Sequence, residues 1–169
     1  PDWSSRIHLA LHGVTDYRNP SHSSLVFSAE APDGLPTMLH ADEIASMQLS
    51  ASEVFLSACE SGSGKVVEGE GVMSLARSFL LAGARTVVAS AWRVDDRASA
   101  AFVTYYYEAI QSGCDPPRAI QVAQRRMIES DRALYRHPYF WASYLVWSRD
   151  ALADKPHSSS TRTPSSVAR

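Results

Sequence analysis

Apolar and polar positions alternate near the start of the chain. Ile7, Leu9 and Leu11 are interleaved with His8, Ala10 and His12, and Gly13 ends the run, which predicts a strand over residues 6–12. Residues 25–27 form a second, short apolar run inside a stretch, 13–37, whose Gly, Pro, Asn, Asp and Ser content predicts a loop or hairpin. Residues 42–47 have room for one or two helical turns. The continuous run Val54-Phe55-Leu56 predicts a buried strand over 53–58, leading into a Gly/Ser loop. Val72, Leu75, Ala76, Phe79 and Leu80 recur at i, i+3, i+4, i+7 and i+8, the spacing of an amphipathic helix, and Gly83 stops it. Thr86-Val87-Val88-Ala89-Ser90-Ala91 is short, apolar and β-branched, as in a central strand. Asp95 or Asp96 then caps a helix with inner face Phe102, Val103, Tyr106 and Ile110, ended by Gly113. Asp115-Pro116-Pro117 starts another, with inner face Ile120, Ala123 and Met127. Tyr144-Leu145-Val146-Trp147 reads as the last strand. Short buried strands with intervening helices predict an α/β sheet, mostly parallel and covered on both faces.

Composition narrows this picture. The 169 residues have room for one domain, and 45% apolar with 20% charged residues excludes a collagen-like or wholly disordered chain. The longest apolar stretches are far too short to span a bilayer. No charged segment followed by an apolar run stands at the N-terminus, so neither export nor a membrane is expected, and the expected location is cytoplasmic. A net charge of −2 with no basic stripe bearing aromatics argues against nucleic acid as a partner. Two cysteines, Cys59 and Cys114, can form at most one bridge, and free thiols are expected. Residues 154–169, with five Ser, two Pro and no aromatic, are expected to be disordered, leaving 1–153 as the folded unit. The start at Pro1, without Met and close to a strand, reads as a fragment.

Two residues could carry chemistry together. His12 is read as the end of the first strand and Cys59 as the end of the second buried one, and ligands bind beyond the carboxyl ends of strands in open parallel sheets. On neighbouring strands, the imidazole could take the thiol proton, and thiolate is the nucleophile. The backbone N–H groups of Gly13 and Cys59 could then hold an oxyanion. The bland alternative is that Cys59 is a small buried hydrophobe and His12 a structural residue. On spacing alone the two readings stand level. Other motifs fail. Ser61-Gly62-Ser63-Gly64-Lys65 lacks both ends of a phosphate loop, and Ser63 lacks the first Gly of a serine elbow. His8 and His12 share a strand face without the companion ligands a zinc site needs. No metal and no cofactor are expected.

A larger set of segments then bears on the question. These are Leu11-His12-Gly13, Leu56-Ser57-Ala58-Cys59-Glu60-Ser61-Gly62, Gly71-Val72-Met73-Ser74-Leu75-Ala76-Arg77-Ser78-Phe79 and Leu81-Ala82-Gly83-Ala84. Val88-Ala89-Ser90-Ala91-Trp92-Arg93-Val94-Asp95-Asp96 and His137-Pro138-Tyr139-Phe140-Trp141-Ala142 follow. In this order, over residues 6–148, the chain resembles the CHAT domain, a caspase-like peptidase group related to separase. The resemblance implies a caspase-like three-layer sandwich and thiol proteolysis of protein or peptide substrates by a His/Cys dyad, which His12 and Cys59 match. It also implies strands and helices before the His strand that this chain lacks, so the N-terminal part of the domain is expected to be missing and one sheet edge uncovered. A regulatory or sensor region in the same or a partner chain is expected too. In relatives of this fold, a residue after the Cys strand helps form the pocket for the side chain before the cut. Trp92, Asp95 and Asp96 occupy that place here. An acidic Asp95 would favour Arg or Lys, whereas Arg93 would oppose that preference and Asp95 or Asp96 could simply cap the next helix. Glu60, next to Cys59, is a further candidate for the pocket and reads as a loop residue rather than a third catalytic member. The alternative to an endopeptidase is a catalytically dormant binding or signalling module of the same fold.

Overall fold

A computed structural model describes residues 5–14, 16, 18–30, 36–57, 65–67, 71–73, 75–92 and 94–149. Its central sheet has four strands, β1 (Arg6–Leu9), β5 (Glu53–Leu56), β8 (Thr86–Ser90) and β9 (Tyr144–Ser148), ordered β1-β5-β8-β9. The first three run parallel and β9 runs antiparallel to β8. Every residue of β5 and β8 is buried, which is why both read as continuous apolar runs.

Helices cover both faces, and strand alternation decides which residue meets which helix. Val54, Leu56, Val87 and Ala89 pack, with Ile7 and Leu9 of β1, against α2 (Leu75–Ala82), whose Leu75, Ala76, Phe79 and Leu80 are buried. Ala41 and Ile44 of α1 (Ala41–Ser46) join the same cluster. Phe55, Val88 and Tyr144 point the other way, onto Phe102, Tyr106 and Ile110 of α3 (Asp96–Gln111) and Ile120, Ala123 and Met127 of α4 (Pro116–Ile128). The fold is therefore a mixed α/β unit with a mostly parallel sheet between helices.

Local chemistry sets the helix ends. Asp115 accepts from the Arg118 amide at 2.9 Å, ahead of Pro116 and Pro117 in the first turn of α4. α2 stops at Gly83, where φ is +118° and a Cβ would lie 2.3 Å from the Leu49 carbonyl oxygen. That close approach lets the Leu49 amide donate to Ala82 O at 2.7 Å.

Two parts differ from the pattern-based expectation. The strand predicted over 6–12 ends at Leu9, whose carbonyl accepts from the Ser57 amide at 2.9 Å in the last rung to the β5 side. His12 does not end β1. It opens β2 (His12–Val14), which pairs antiparallel with β3 (Ser24–Glu30), and β3 pairs with β4 (Pro36–His40). The 13–37 stretch, expected as a loop or hairpin with a short strand over 25–27, thus supplies that hairpin and, through β4, a third strand to a second sheet. Val72, assigned above to the amphipathic helix, lies in β7 (Gly71–Met73), paired with β6 (Lys65–Val67), and the helix starts at Leu75. The tail expected to be disordered lies outside the described residues.

Candidate functional site

A cleft of about 580 Å3 opens at the carboxyl ends of the parallel strands, on the α3 side of the sheet. Sheet residues His8, Ser90 and Tyr144, with Ser57 just after β5, line one wall, and Asp96, Ser99 and Val103 of α3 line the other. His12 and Val26 close it from the β2–β3 hairpin. This is the place where an open parallel sheet offers backbone ends and loops to a ligand.

Of the residues selected by sequence, His12 lines this cleft and is exposed, with its backbone opposite Val26. Gly13 follows in β2, opposite Leu25. Cys59, Glu60 and Arg93 lie outside the described residues. The last described residue before the cysteine, Ser57, lines the cleft. Asp95 and Asp96 have separate places. Asp95 caps α3, its Oδ1 accepting from the amides of Arg97 at 3.0 Å and Ala98 at 3.2 Å, whereas Asp96 lines the cleft. Trp92 is outside the lining, and its indole N–H donates to Tyr139 O at 2.9 Å. His137 caps the turn Pro138–Phe140, with Nδ1 accepting from the Tyr139 amide.

Sequence reasoning weighed His8 only as a metal ligand and missed its place in the cleft wall. Its ring stacks on Phe55, with centroids 5.0 Å apart, and on Tyr107 at 5.5 Å. Its Nδ1 lies 2.9 Å from the Tyr107 hydroxyl. Burial lowers the His8 pKa below the usual histidine value, so the imidazole is neutral near pH 7. Burial, reinforced by the Glu53 charge, raises that of Tyr107, which keeps its phenolic proton. A protonated phenol can donate to Nδ1, leaving the imidazole proton on Nε2. The available signal was parity: His8 and His12 stand at even positions of the alternating run, and Ile7 and Leu9 at odd ones.

Beneath this wall is a buried ion pair. Glu53 is 1% exposed, and Arg6 Nε lies 3.3 Å from its Oε2. The two residues are register partners on β1 and β5 and face Tyr106 of α3. Burial raises the Glu53 carboxyl above the usual range, and Tyr106 and Arg6 offset part of that shift.

A mostly parallel sheet between helices, with a histidine-lined cleft at the carboxyl ends of its strands, defines a mixed α/β domain. More specifically, the chain belongs to the CHAT domain family, whose model matches residues 4–150. It is 29% identical over 130 residues to human tetratricopeptide repeat protein 28 and 28% identical over the same length to the mouse protein. Those matches cover 77% of this chain but only 5% of each relative, so the chain spans a small part of the curated proteins it matches. Among the described residues, no helix is long and apolar enough to cross a membrane.

Proposed function

We propose that this domain is a caspase-like cysteine endopeptidase in which Cys59 is the nucleophile and His12 the general acid/base. The observation that carries the reading is the β1–β5 register. Arg6, Ile7, His8 and Leu9 pair with Glu53, Val54, Phe55 and Leu56, a constant offset of 47 residues, and the same 47 residues separate His12 from Cys59. The two positions follow their strands by the same number of residues, and His12 and Ser57 both line the cleft. In the proposed reaction the Cys59 sulfur bonds to the scissile carbonyl carbon while His12 takes the thiol proton. The Gly13 and Cys59 amides stabilise the oxyanion. His12 passes its proton to the leaving amine, and water then hydrolyses the thioester.

Asp96 in the cleft wall supports a preference for Lys or Arg before the cut, by a charge-assisted hydrogen bond. The repeat proteins among the relatives support regulation within a larger signalling or defence protein. The domain boundary at 153 and a cytoplasmic setting belong to the same reading.

The test is cleavage of a fluorogenic peptide panel by the complete protein, with rates of thiol alkylation read by mass spectrometry. Cys59→Ala is expected to abolish cleavage. Cys59 should alkylate faster than Cys114, a free and half-buried thiol that serves as the internal comparison. His12→Ala should remove that difference. Cleavage that survives Cys59→Ala overturns the assignment, and alkylation of Cys59 no faster than Cys114 favours a dormant binding module.

A further inference from the structure

A second cavity lies across α3 from the cleft. Asp96, Ser99 and Val103 face the cleft, whereas Arg97, Ala101 and Tyr105 face a groove of about 460 Å3. Its other wall is the segment after α4, with Ser130, Arg132 and Tyr135. Ala100 lines both cavities, so one helix separates them.

The donors in this groove are partly organised in advance. Arg132 Nη1 donates to the Tyr135 hydroxyl at 3.0 Å, and its guanidinium carbon lies 5.3 Å from the Tyr135 ring centroid. Tyr135 is buried, and the Arg132 amide donates to Ser130 Oγ. The remaining guanidinium N–H groups of Arg132 therefore project from a fixed base. Neither Arg97 nor Arg132 has a carboxylate within ion-pairing distance among the described residues. Glu108 is taken by Arg126, whose guanidinium carbon sits 4.0 Å over the Tyr105 ring. Asp131 is exposed next to Arg132 in sequence but is not part of the lining.

We propose that this groove binds a phosphomonoester group. Two guanidinium forks supply parallel N–H donors that match phosphate oxygens, and the Ser130 hydroxyl adds a further donor. The lining contains no carboxylate to repel an anion. A phosphomonoester carries close to two negative charges at neutral pH, which matches two arginines better than the single charge of a carboxylate.

The experiment is isothermal titration of the full chain with inorganic phosphate, at an ionic strength held constant with sodium chloride. Saturable binding is expected, with chloride giving none. Arg97→Gln should weaken it about tenfold, the loss of one charge-assisted contact. Arg97 is exposed, so the fold should tolerate the change. Arg132→Gln should weaken binding as much, and its thermal midpoint checks that the Tyr135 contact has not carried the fold with it. Arg118→Gln, on α4 outside the lining, should bind like the parent. A phosphoserine peptide that binds more tightly than free phosphate assigns the group to a protein ligand, and equal or weaker binding assigns it to a small molecule. Failure to saturate, or equal affinity in Arg97→Gln and the parent, overturns the proposal. Cys59 takes no part in any of these readouts, so the result stands apart from the peptidase test.

Discussion

The adjacent aspartates at the start of α3 allow a prediction that separates structure from specificity. Asp95→Ala removes the acceptor for the Arg97 and Ala98 amides. Arg97 is exposed and its amide can turn to water, while Ala98 is 0% exposed and its amide loses more. Loss of an aspartate N-cap costs about 1 kcal/mol, within a range of about 0.5–2. For a chain of this size that lowers the thermal midpoint by roughly 2–4 °C. Asp96→Asn keeps the shape and the first-turn position and loses only the interaction of its charge with the helix dipole, about 0.3–1 kcal/mol. Asp95→Ala loses the two cap bonds and the charge together, so its midpoint should fall further than that of Asp96→Asn. Function should show the reverse order. A charge-assisted hydrogen bond is worth about 1.5–3 kcal/mol, so Asp96→Asn should reduce the preference for Lys or Arg over a neutral residue roughly ten- to hundredfold. Asp95→Ala should leave that preference intact. The assays are thermal unfolding by circular dichroism and kcat/KM on paired peptides. Equal midpoint losses in the two variants, with selectivity unchanged in Asp96→Asn, would refute the division of roles.

Four further outcomes follow from the fold. Gly83→Ala should destabilise by about 3 kcal/mol or more, because its φ is strained for any L residue and its Cβ meets the Leu49 carbonyl. Gly113→Ala, with φ +94° and no atom within 4 Å, should cost only the roughly 1–2 kcal/mol of conformation, and equal losses in denaturant titration would show that the Leu49 contact does not matter. Arg6→Met should cost roughly 3–5 kcal/mol by leaving Glu53 buried without its cation, and replacing Glu53 by Leu as well should restore most of the stability; no recovery in chemical denaturation would count against the pair. Because the folded-state pKa of Glu53 is raised, its contribution to stability is greatest below about 4.5 and declines as pH rises through the higher folded value, and Glu53→Gln should remove that slope. The lowered pKa of His8 works in the other direction. Its contribution is full above 6.5 and is lost as pH falls from there toward the folded value. His8→Phe should flatten that limb of the stability profile, and an unchanged limb would place the titration elsewhere.

The middle of the central sheet was legible in the sequence because β5 and β8 are buried on both faces, and Val54-Phe55-Leu56 and Thr86-Val87-Val88 can hardly be anything else. The capped helices were legible as well, since Asp115-Pro116-Pro117 states its own geometry. The β2–β3–β4 sheet was legible only in part, as a loop or hairpin with one short strand over residues 25–27. Its strands are made by pairing with one another, only Leu25 among its described side chains is a fully buried apolar anchor, and its polar composition is what a loop would also have. Val72 extended a helical spacing by coincidence while its backbone pairs with β6. No local pattern distinguishes Asp95 from Asp96, because both are good caps and only the packing of α3 turns one of them into the cleft.

The alternation around His12 shows which part of such a prediction is physical. Ile7, Leu9 and Leu11 all pack on the cluster that includes α2, so the odd positions of β1 face that layer, and Leu11, beyond the strand, also reaches the edge of the cleft. Even positions must then face α3, and both His8 and His12 line the cleft there. Yet the strand itself stops at Leu9, because a strand needs a partner backbone as well as a suitable pattern, and the pairing with β5 ends at Leu56. The pattern named the right face and the wrong element. Burial of side chains dictates the face, and that survives a break in hydrogen bonding. The extent of an element depends on what its neighbour does, and residues 6–12 carry no information about β5.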